Sequence, residues 1–433
     1  MHDDGLLEQK AWAAGIASGY HDVDGRYYPA KPGVLAALLA RLADEEHAEG
    51  DFDAVEVAAA GSARTLVLAG VDAPQAAWLA DEAGVRQDVV WQMLSDGLSL
   101  ALPALAEGYY EIAVQQQNGR VFRCFLIAAP DSAYEPPDLA AGHRFNGMTV
   151  QLYSLRSAAN WGVGDFGDLA ALMAFAGRSG LDFIGINPLH ALFGSRPDYA
   201  SPYSPSSRVW LNPMYLDVTQ VAAFQGSQAA QQWLAGEDVQ QQLAAVRAAE
   251  TVDYKAVWAL KKSALQTAFV AFNQDNSPAR QQERAEFAGF VEEKGAALDG
   301  WGVFEALAQH FADPHVLGWP GWPPEYQQPE SKAVREFAAQ HADEVRFYMW
   351  LQWLCAGQLQ TVNEAAQQHG VQLGLYGDLS VGVARGGADI WLNRRVYCSD
   401  VSVGAPPDAF SPVGQNWQLP PLHPAALQHT GYR

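Results

Sequence analysis

The sequence predicts an α/β protein that opens with a helical segment and a small all-β, sandwich-like domain and carries a large helical insertion. Three observations lead there. Short apolar or alternating runs fill about 51 to 130, a strand–helix–strand unit with brief joins spans 148 to 189, and a helical stretch rich in Ala and Gln runs from about 220 to 368. With 433 residues and 49% hydrophobic content the chain can bury a large core, and its length suggests two or three domains.

In order, residues 1–47 read as two short helices, Leu6–Ile16 and Val34–Ala43, joined by the turn-rich SGYHDVDGRYY. Residues 48–140 hold the strand candidates VEVAAAG, RTLVLAG, QDVVWQML, LSLAL, YYEIAVQQ and VFRCFLIAA, separated by Gly, Asp and Asn turns. The Pro-rich APDSAYEPPDLAAG (128–142) marks a boundary before the third domain, 141–433. There a strand at Met148–Leu155, a helix over about Asp168–Arg178 stopped by Gly180, and a strand at Phe183–Leu189 follow closely, which implies parallel strands with a right-handed crossover. In the helical insertion, Tyr254, Val257, Trp258, Leu265, Phe269 and Phe272 form one stripe. Phe347, Trp350, Leu351, Leu354, Leu359 and Val362 form another, and both read as core. Trp319 and Trp322 sit in a Pro-rich loop and fit either a groove or a packed joint. Strand character returns at Gly374–Val381, with Asp378 near its end.

The charge balance narrows the function classes. Lys plus Arg total 27 against 49 Asp plus Glu, a net charge of −22. That field repels polyanions and argues against nucleic acid as a partner. Cys124, Cys355 and Cys398 are far apart and form no CxxC pair, so neither a disulfide framework nor a zinc site is expected. The N-terminus lacks a basic-then-apolar signal, and no apolar run approaches the roughly 18 residues of a membrane span. A soluble, cytoplasmic protein without membrane partners is expected. The absence of an HExxH, P-loop or GxGxxG context sets aside zinc proteases, nucleotide hydrolases and dinucleotide enzymes.

The stretch Gly194–Asp217 stands out. Pro197, Pro202, Pro205 and Pro213 alternate with Tyr199, Tyr203, Trp210 and Tyr215 and with short polar side chains. Prolines limit the loop to a few conformations, so aromatic faces and hydrogen-bonding groups are presented at fixed positions. Such a surface suits a ligand with many hydroxyls and flat apolar faces, a sugar. An ordinary long surface loop has similar composition, and the residues alone leave both readings open.

The ordered run SPYSPSSRVWLNPMYLD (201–217) resembles a signature of the 4-α-glucanotransferases, or amylomaltases, of the α-amylase superfamily. QLYSLRSAANWGVGDFGDL, DFIGINPLHALF, DYKAVWALKKSAL, LGWPGWPPEYQQPES, GLYGDLSVGVARGGADIW and SVGAPPDAFSPVGQNWQLPP extend the resemblance in order from 151 to 421. It implies a partial (β/α)8 barrel holding about three of the eight strands, with functional loops at the strands' C-terminal ends. It also implies an enzyme that moves a segment of an α-1,4-glucan onto the 4-hydroxyl of glucose or another glucan, with no metal or organic cofactor. By the same resemblance Ser201 and Tyr203 face glucose units beside the scissile bond and Asn212 braces the loop. Asp378 lies in a strand-end motif, Asp408 and Gln415 bond sugar hydroxyls, and Phe410 and Trp417 offer stacking faces. Ala409 stands where some relatives carry Tyr, which weakens the expected grip of that loop.

Retaining transfer requires two carboxyl groups about 5 Å apart, a nucleophile and an acid/base. The family's Arg-x-Asp-His nucleophile strand and acid/base Glu have no counterpart before Arg433, so they are expected beyond it and the chain by itself is expected to be inactive. Arg196-Pro197-Asp198 has the Arg-x-Asp spacing, but Pro197 argues against a barrel strand. His21-Asp22 lies in the N-terminal turn region, and His190 reads as a structural group. Two alternatives remain, a non-catalytic maltodextrin-binding protein and an α-amylase-type hydrolase.

Overall fold

The computed structural model describes residues 2–43 and 51–432, and the expected boundary at 47/48 lies outside them. The fold is mixed α/β. The chain forms two compact units: Met1–Gly142 together with Arg395–Trp417 and Pro421–Arg433, and His143–Arg394 together with Gln418–Pro420.

In the first unit, helix α1 (His2–Ala13) begins and ends earlier than the apolar spacing suggested, and α2 covers Pro32–Leu42. The linker between them is not merely a turn: β1 (Gly19–His21) and β2 (Tyr27–Pro29) pair antiparallel, with Tyr20 stacked on Tyr28 across the strands. Eight further strands follow: β3 (Ala54–Ala59), β4 (Arg64–Leu68), β5 (Pro74–Asp81), β6 (Arg86–Asp88), β7 (Val90–Leu94), β8 (Gly97–Leu102), β9 (Gly108–Gln116) and β10 (Val121–Ala129). They form a five-stranded sheet ordered β3-β10-β9-β5-β6 and a three-stranded sheet ordered β4-β8-β7. Period-two alternation explains the packing. Leu98, Leu100 and Leu102 of β8 and Phe122, Cys124, Leu126 and Ala128 of β10 all point into one shared hydrophobic cluster. Strand β5 was not expected from sequence, because a run opening with Pro and carrying three Ala residues has little strand signature.

In the second unit three parallel strands, β11 (Gly147–Val150), β12 (Phe183–Ile186) and β15 (Gly374–Gly377), pair in the order β11-β12-β15. Their register aligns Val150, Ile186 and Gly377, so Gln151, Asn187 and Asp378 each follow directly at the strand ends. Each strand has four residues, shorter than the apolar runs suggested; after Val150 the chain turns into a 3-10 helix at Leu152–Ser154. Helix α3 (Phe166–Arg178) starts two residues before the expected Asp168. Asp165 caps it, accepting from the Asp168 backbone at 3.2 Å while Asp168 accepts from the Asp165 backbone at 3.1 Å. Between His190 and Ser207 the chain leaves and re-enters as a short antiparallel pair, β13 (His190–Ala191) with β14 (Ser207–Leu211).

The insertion is helical: α4 (Gln228–Ala235), α5 (Glu237–Ala248), α6 (Tyr254–Gln274), α7 (Pro278–His310), α8 (Lys332–Gln340) and α9 (Ala342–Gln368). Helix α7 is broken at Gly295, whose φ of 51° a side chain would resist. Phe269, Phe272, Phe287, Phe347, Trp350 and Trp353 pack ring against ring at its centre. The α9 stripe is rotated from expectation, since Leu354 and Leu359 are half-buried while Gln352 and Cys355 are buried. Trp319 and Trp322 are 7% and 3% exposed, with Trp322 against Phe304, Phe311 and Trp391; they form a packed joint, not a groove. Among the described residues no helix is long and apolar enough to cross a membrane.

Candidate functional site

An open cleft of about 360 Å³ lies over the C-terminal ends of the three parallel strands. It is lined by Thr149, Val150, Gln151, Gly185, Ile186, Asn187, Tyr203, Tyr376 and Asp378. Parallel strands aim their last residues at one rim, which is why three separate segments deliver side chains there. The Tyr203 side chain shares this cleft with the Asp378 carboxylate and the Gln151 amide; burial and then the Asp378 charge hold its pKa above the usual tyrosine value. Asn187 is spent structurally, accepting from the Leu152 backbone at 2.7 Å and donating to the Pro188 carbonyl at 2.8 Å and the Tyr215 hydroxyl at 3.2 Å. The cleft thus offers a phenol, an amide, a carboxylate and the exposed Tyr376 face. Among the described residues that line it, Asp378 is the one carboxylate.

The loop that carries Tyr203 is anchored by buried and half-buried polar side chains. Lys261 of α6 is fully buried and donates to the carbonyls of Met214 at 2.9 Å and Leu216 at 2.8 Å, with Asp165 3.5 Å away. Burial lifts the Asp165 pKa to about 6 against the opposing pull of Lys261. From α9, Gln352 grips both backbone groups of Leu211, accepting at 3.0 Å and donating at 2.9 Å. Gln358 does the same to Asp217, both at 2.8 Å. Arg208 reaches from the loop to the carbonyls of Ser380 and Val381 at 3.2 and 3.3 Å, holding the segment that follows Asp378. Asp389 receives the Arg208 backbone N–H at 2.9 Å.

The remaining site residues separate. Asn212 is 7% exposed and accepts from the Met214 backbone at 3.1 Å, a bracing role. Ser201 is exposed in the turn two residues before Tyr203, and its carbonyl accepts from Ser204 at 3.3 Å. Asp408, Phe410, Gln415 and Trp417 share the hairpin in which Val403–Ala405 pairs with Gln415–Leu419. Asp408 closes its own turn, accepting from the backbones of Phe410 at 2.9 Å and Ser411 at 2.6 Å. Gln415 accepts from the Trp417 indole at 3.0 Å, while Phe410 is 96% exposed. Tyr203 and Asp378 therefore meet in one cleft, Ser201 and Asn212 stay with the Tyr203 loop, and Asp408, Phe410, Gln415 and Trp417 share one hairpin.

His190 is half-buried, with Nε2 3.5 Å from the Ser380 backbone nitrogen. Burial and Arg208 hold its pKa below the usual histidine range against the pull of Asp378. Arg196 and Asp198 lie in a turn, with Arg196 donating to the carbonyls of Asp313 and Pro314 at 3.2 and 2.9 Å. Asp22 caps the β1–β2 turn through the backbones of Asp24 and Arg26. Among the described residues no cluster of three or more His, Cys, Asp or Glu side chains is placed to hold a metal ion.

Residues 150–433 match the sequence model of the family described as 4-alpha-glucanotransferase. The chain belongs to that family. A 4-alpha-glucanotransferase of Haemophilus influenzae is 38% identical over 435 residues, covering 98% of this chain and 62% of the relative. One of Mycobacterium tuberculosis is 33% identical over 465 residues, covering 99% and 62%. Among solved structures, amylomaltase from Corynebacterium glutamicum superposes with a TM-score of 0.76 at 26% identity, over 98% of this chain and 62% of that one. Amylomaltase from Streptococcus agalactiae in complex with acarbose shares the fold at a TM-score of 0.54 and 20% identity, over 66% of this chain and 54% of that one. The chain thus spans about 62% of the length of these curated glucanotransferases.

Sequence reasoning missed Gln151, Tyr376 and Arg208 as groups that shape the cleft of this glucanotransferase-family chain. Gln151 gave no strand-end signal, because the expected strand ran through it to Leu155 whereas the strand stops at Val150. The anchors Lys261, Gln352 and Gln358 gave a weak signal, as polar residues on the apolar faces of two helices.

Proposed function

We propose that this chain is the substrate-gripping part of a cytoplasmic 4-α-glucanotransferase acting on maltodextrins, with glucose or a second glucan as acceptor and no metal or organic cofactor. Tyr203 and Asp378 bond hydroxyls of a glucose unit in the cleft, with Ser201 beside them and Asn212 as brace. Asp408 and Gln415 bond further hydroxyls, and Phe410 and Trp417 stack on pyranose faces. The observation that carries this reading is the convergence of Tyr203, Asp378 and Gln151 on one cleft over the ends of three parallel strands. The proposal takes those strands as part of a (β/α)8 barrel beginning near residue 141 and interrupted at about 220–368. Residues 1–47 are then a helical segment and 48–140 a sandwich-like domain. The shared core of the two N-terminal sheets and the register of β11, β12 and β15 support it.

Retaining double displacement requires a second carboxyl about 5 Å from the first, and one carboxylate lines this cleft. The nucleophile and acid/base are accordingly assigned to strands other than these three. That observation also favours a second reading, a chain that binds maltodextrin without transferring it. Calorimetric titration with maltoheptaose, paired with a maltotriose disproportionation assay, tests both. Binding that Tyr203→Ala abolishes, without transfer by the 433-residue chain, is expected. Absence of binding overturns the sugar reading, and transfer by this chain overturns the placement of the catalytic groups.

A further inference from the structure

A second, much smaller cavity of about 20 Å³ lies beneath the Tyr203 loop. The two limbs of the loop, at Gly194 and Asn212, meet α6, α7 and α9 there through Trp258, Trp301, Glu305 and Tyr348. Three polar atoms of these lining residues have no hydrogen-bond partner in the protein: Trp258 Nε1, Trp301 Nε1 and Glu305 Oε1. Their residues are 6%, 1% and 6% exposed. Buried donors and acceptors are almost always paired, so three orphans around one hole ask for an occupant. Gly194 leaves the room: a Cβ there would lie 2.9 Å from Glu305 Oε2 and 3.8 Å from Trp258 Nε1.

We propose that this cavity is a built site for one water molecule, which ties the base of the Tyr203 loop to the helical insertion. A water needs about 10–15 Å³ of such space and two to four polar partners, and the site supplies both. Its oxygen accepts from the two indole N–H groups and one of its protons goes to Glu305 Oε1, which satisfies all three orphans at once. A metal cation is a poor occupant, because indole nitrogens donate and have no lone pair to give. An apolar occupant would leave every orphan unpaired. Burial pushes the Glu305 pKa to about 8 against Lys262, so at neutral pH the group is mostly a neutral acid whose carbonyl oxygen accepts from the water. Glu305 is thereby a positioning residue for the loop; that role rests on the sugar reading, whereas the water site does not.

The test is a high-resolution crystal structure of the 433-residue chain together with maltoheptaose titration of Glu305→Gln and Glu305→Leu. An isolated density peak within hydrogen-bond distance of Trp258 Nε1, Trp301 Nε1 and Glu305 Oε1 is expected; a dry cavity, or indoles paired to protein atoms, overturns the site. Glu305→Gln, which keeps an acceptor, is expected to bind like wild type, and Glu305→Leu about 3- to 10-fold more weakly. Equal affinity of the Leu variant and wild type overturns the positioning role. A failure of wild type to bind glucan counts against the sugar reading, and the density then decides the water site alone. Should Glu305→Leu not fold, Trp301→Phe, which removes one donor, takes its place in both measurements.

Discussion

Two loops of this chain look alike in sequence and are built in opposite ways. Gly194–Asp217 and the hairpin turn at 405–415 both combine prolines, aromatic rings and short polar residues. The first is held from outside itself, by Lys261, Gln352 and Gln358 on helices that lie far along the chain. The second is held by its own residues, Asp408 with Ser411 and the Ser411 hydroxyl with the Gly414 carbonyl at 2.8 Å. Its Phe410 and Val413 are 96% and 92% exposed. External anchoring by buried polar groups makes a rigid platform whose disturbance costs fold stability. Internal closure makes a loop whose side chains are free to meet a ligand and whose loss the fold tolerates.

Lys261→Met breaks the comparison hardest. It strands Asp165 without its cation and two carbonyls without a donor, and chemical denaturation is expected to register a loss of about 3–5 kcal/mol. Gln352→Leu leaves the Leu211 N–H and carbonyl unpaired in a half-buried place; a loss of roughly 1–3 kcal/mol in the same measurement is expected. An unchanged midpoint in both variants would remove the distinction between the loops.

The helical insertion that supplies these anchors also carries a buried acid. Glu305 ionises at about 8 in the fold against 4.5 for an ordinary glutamate. Between those values the folded chain keeps a proton that the unfolded chain has released. Stability from this group therefore falls as pH rises from about 4.5 to about 8. The slope is at most about 1.4 kcal/mol per pH unit, and Glu305→Gln is expected to remove it when wild type and variant are unfolded side by side across that range. Parallel pH profiles would contradict the assignment.

The smallest stability effects belong to the hairpin. Asp408→Ala opens an exposed turn and is expected to cost no more than about 1 kcal/mol. Phe410→Ala is expected to leave stability within about 0.5 kcal/mol of wild type. Its effect belongs in binding, with maltoheptaose affinity reduced about 3- to 10-fold. Loss of affinity without loss of stability at Phe410, against loss of both at Lys261, is the sharpest form of the contrast.

Much of this architecture is legible in the chain itself. Period-two alternation in LSLAL and VFRCFLIAA marks the strands whose residues fill the N-terminal core, and the close succession of apolar runs around α3 marks a parallel pair. Such patterns are local, and local rules read them. Strand β5 and the β1–β2 hairpin escaped because Ala-rich and Tyr-rich segments without strong alternation become strands only through their neighbours. For the site, Tyr203 and Asp378 were visible as loop and strand-end residues, whereas their meeting in one cleft was not.

By itself, then, the sequence determined most of the order of helices and strands, the two aromatic and proline-rich loops, and the family. Each of these depends on residues close together along the chain or on their order. Only the tertiary structure decided that Gln352 and Gln358 clamp backbone 141 residues away, that Trp319 and Trp322 are buried, and that three residues with unpaired polar atoms line one small cavity. A buried polar atom must find its partner wherever the fold brings one, and no local pattern of residue types names it.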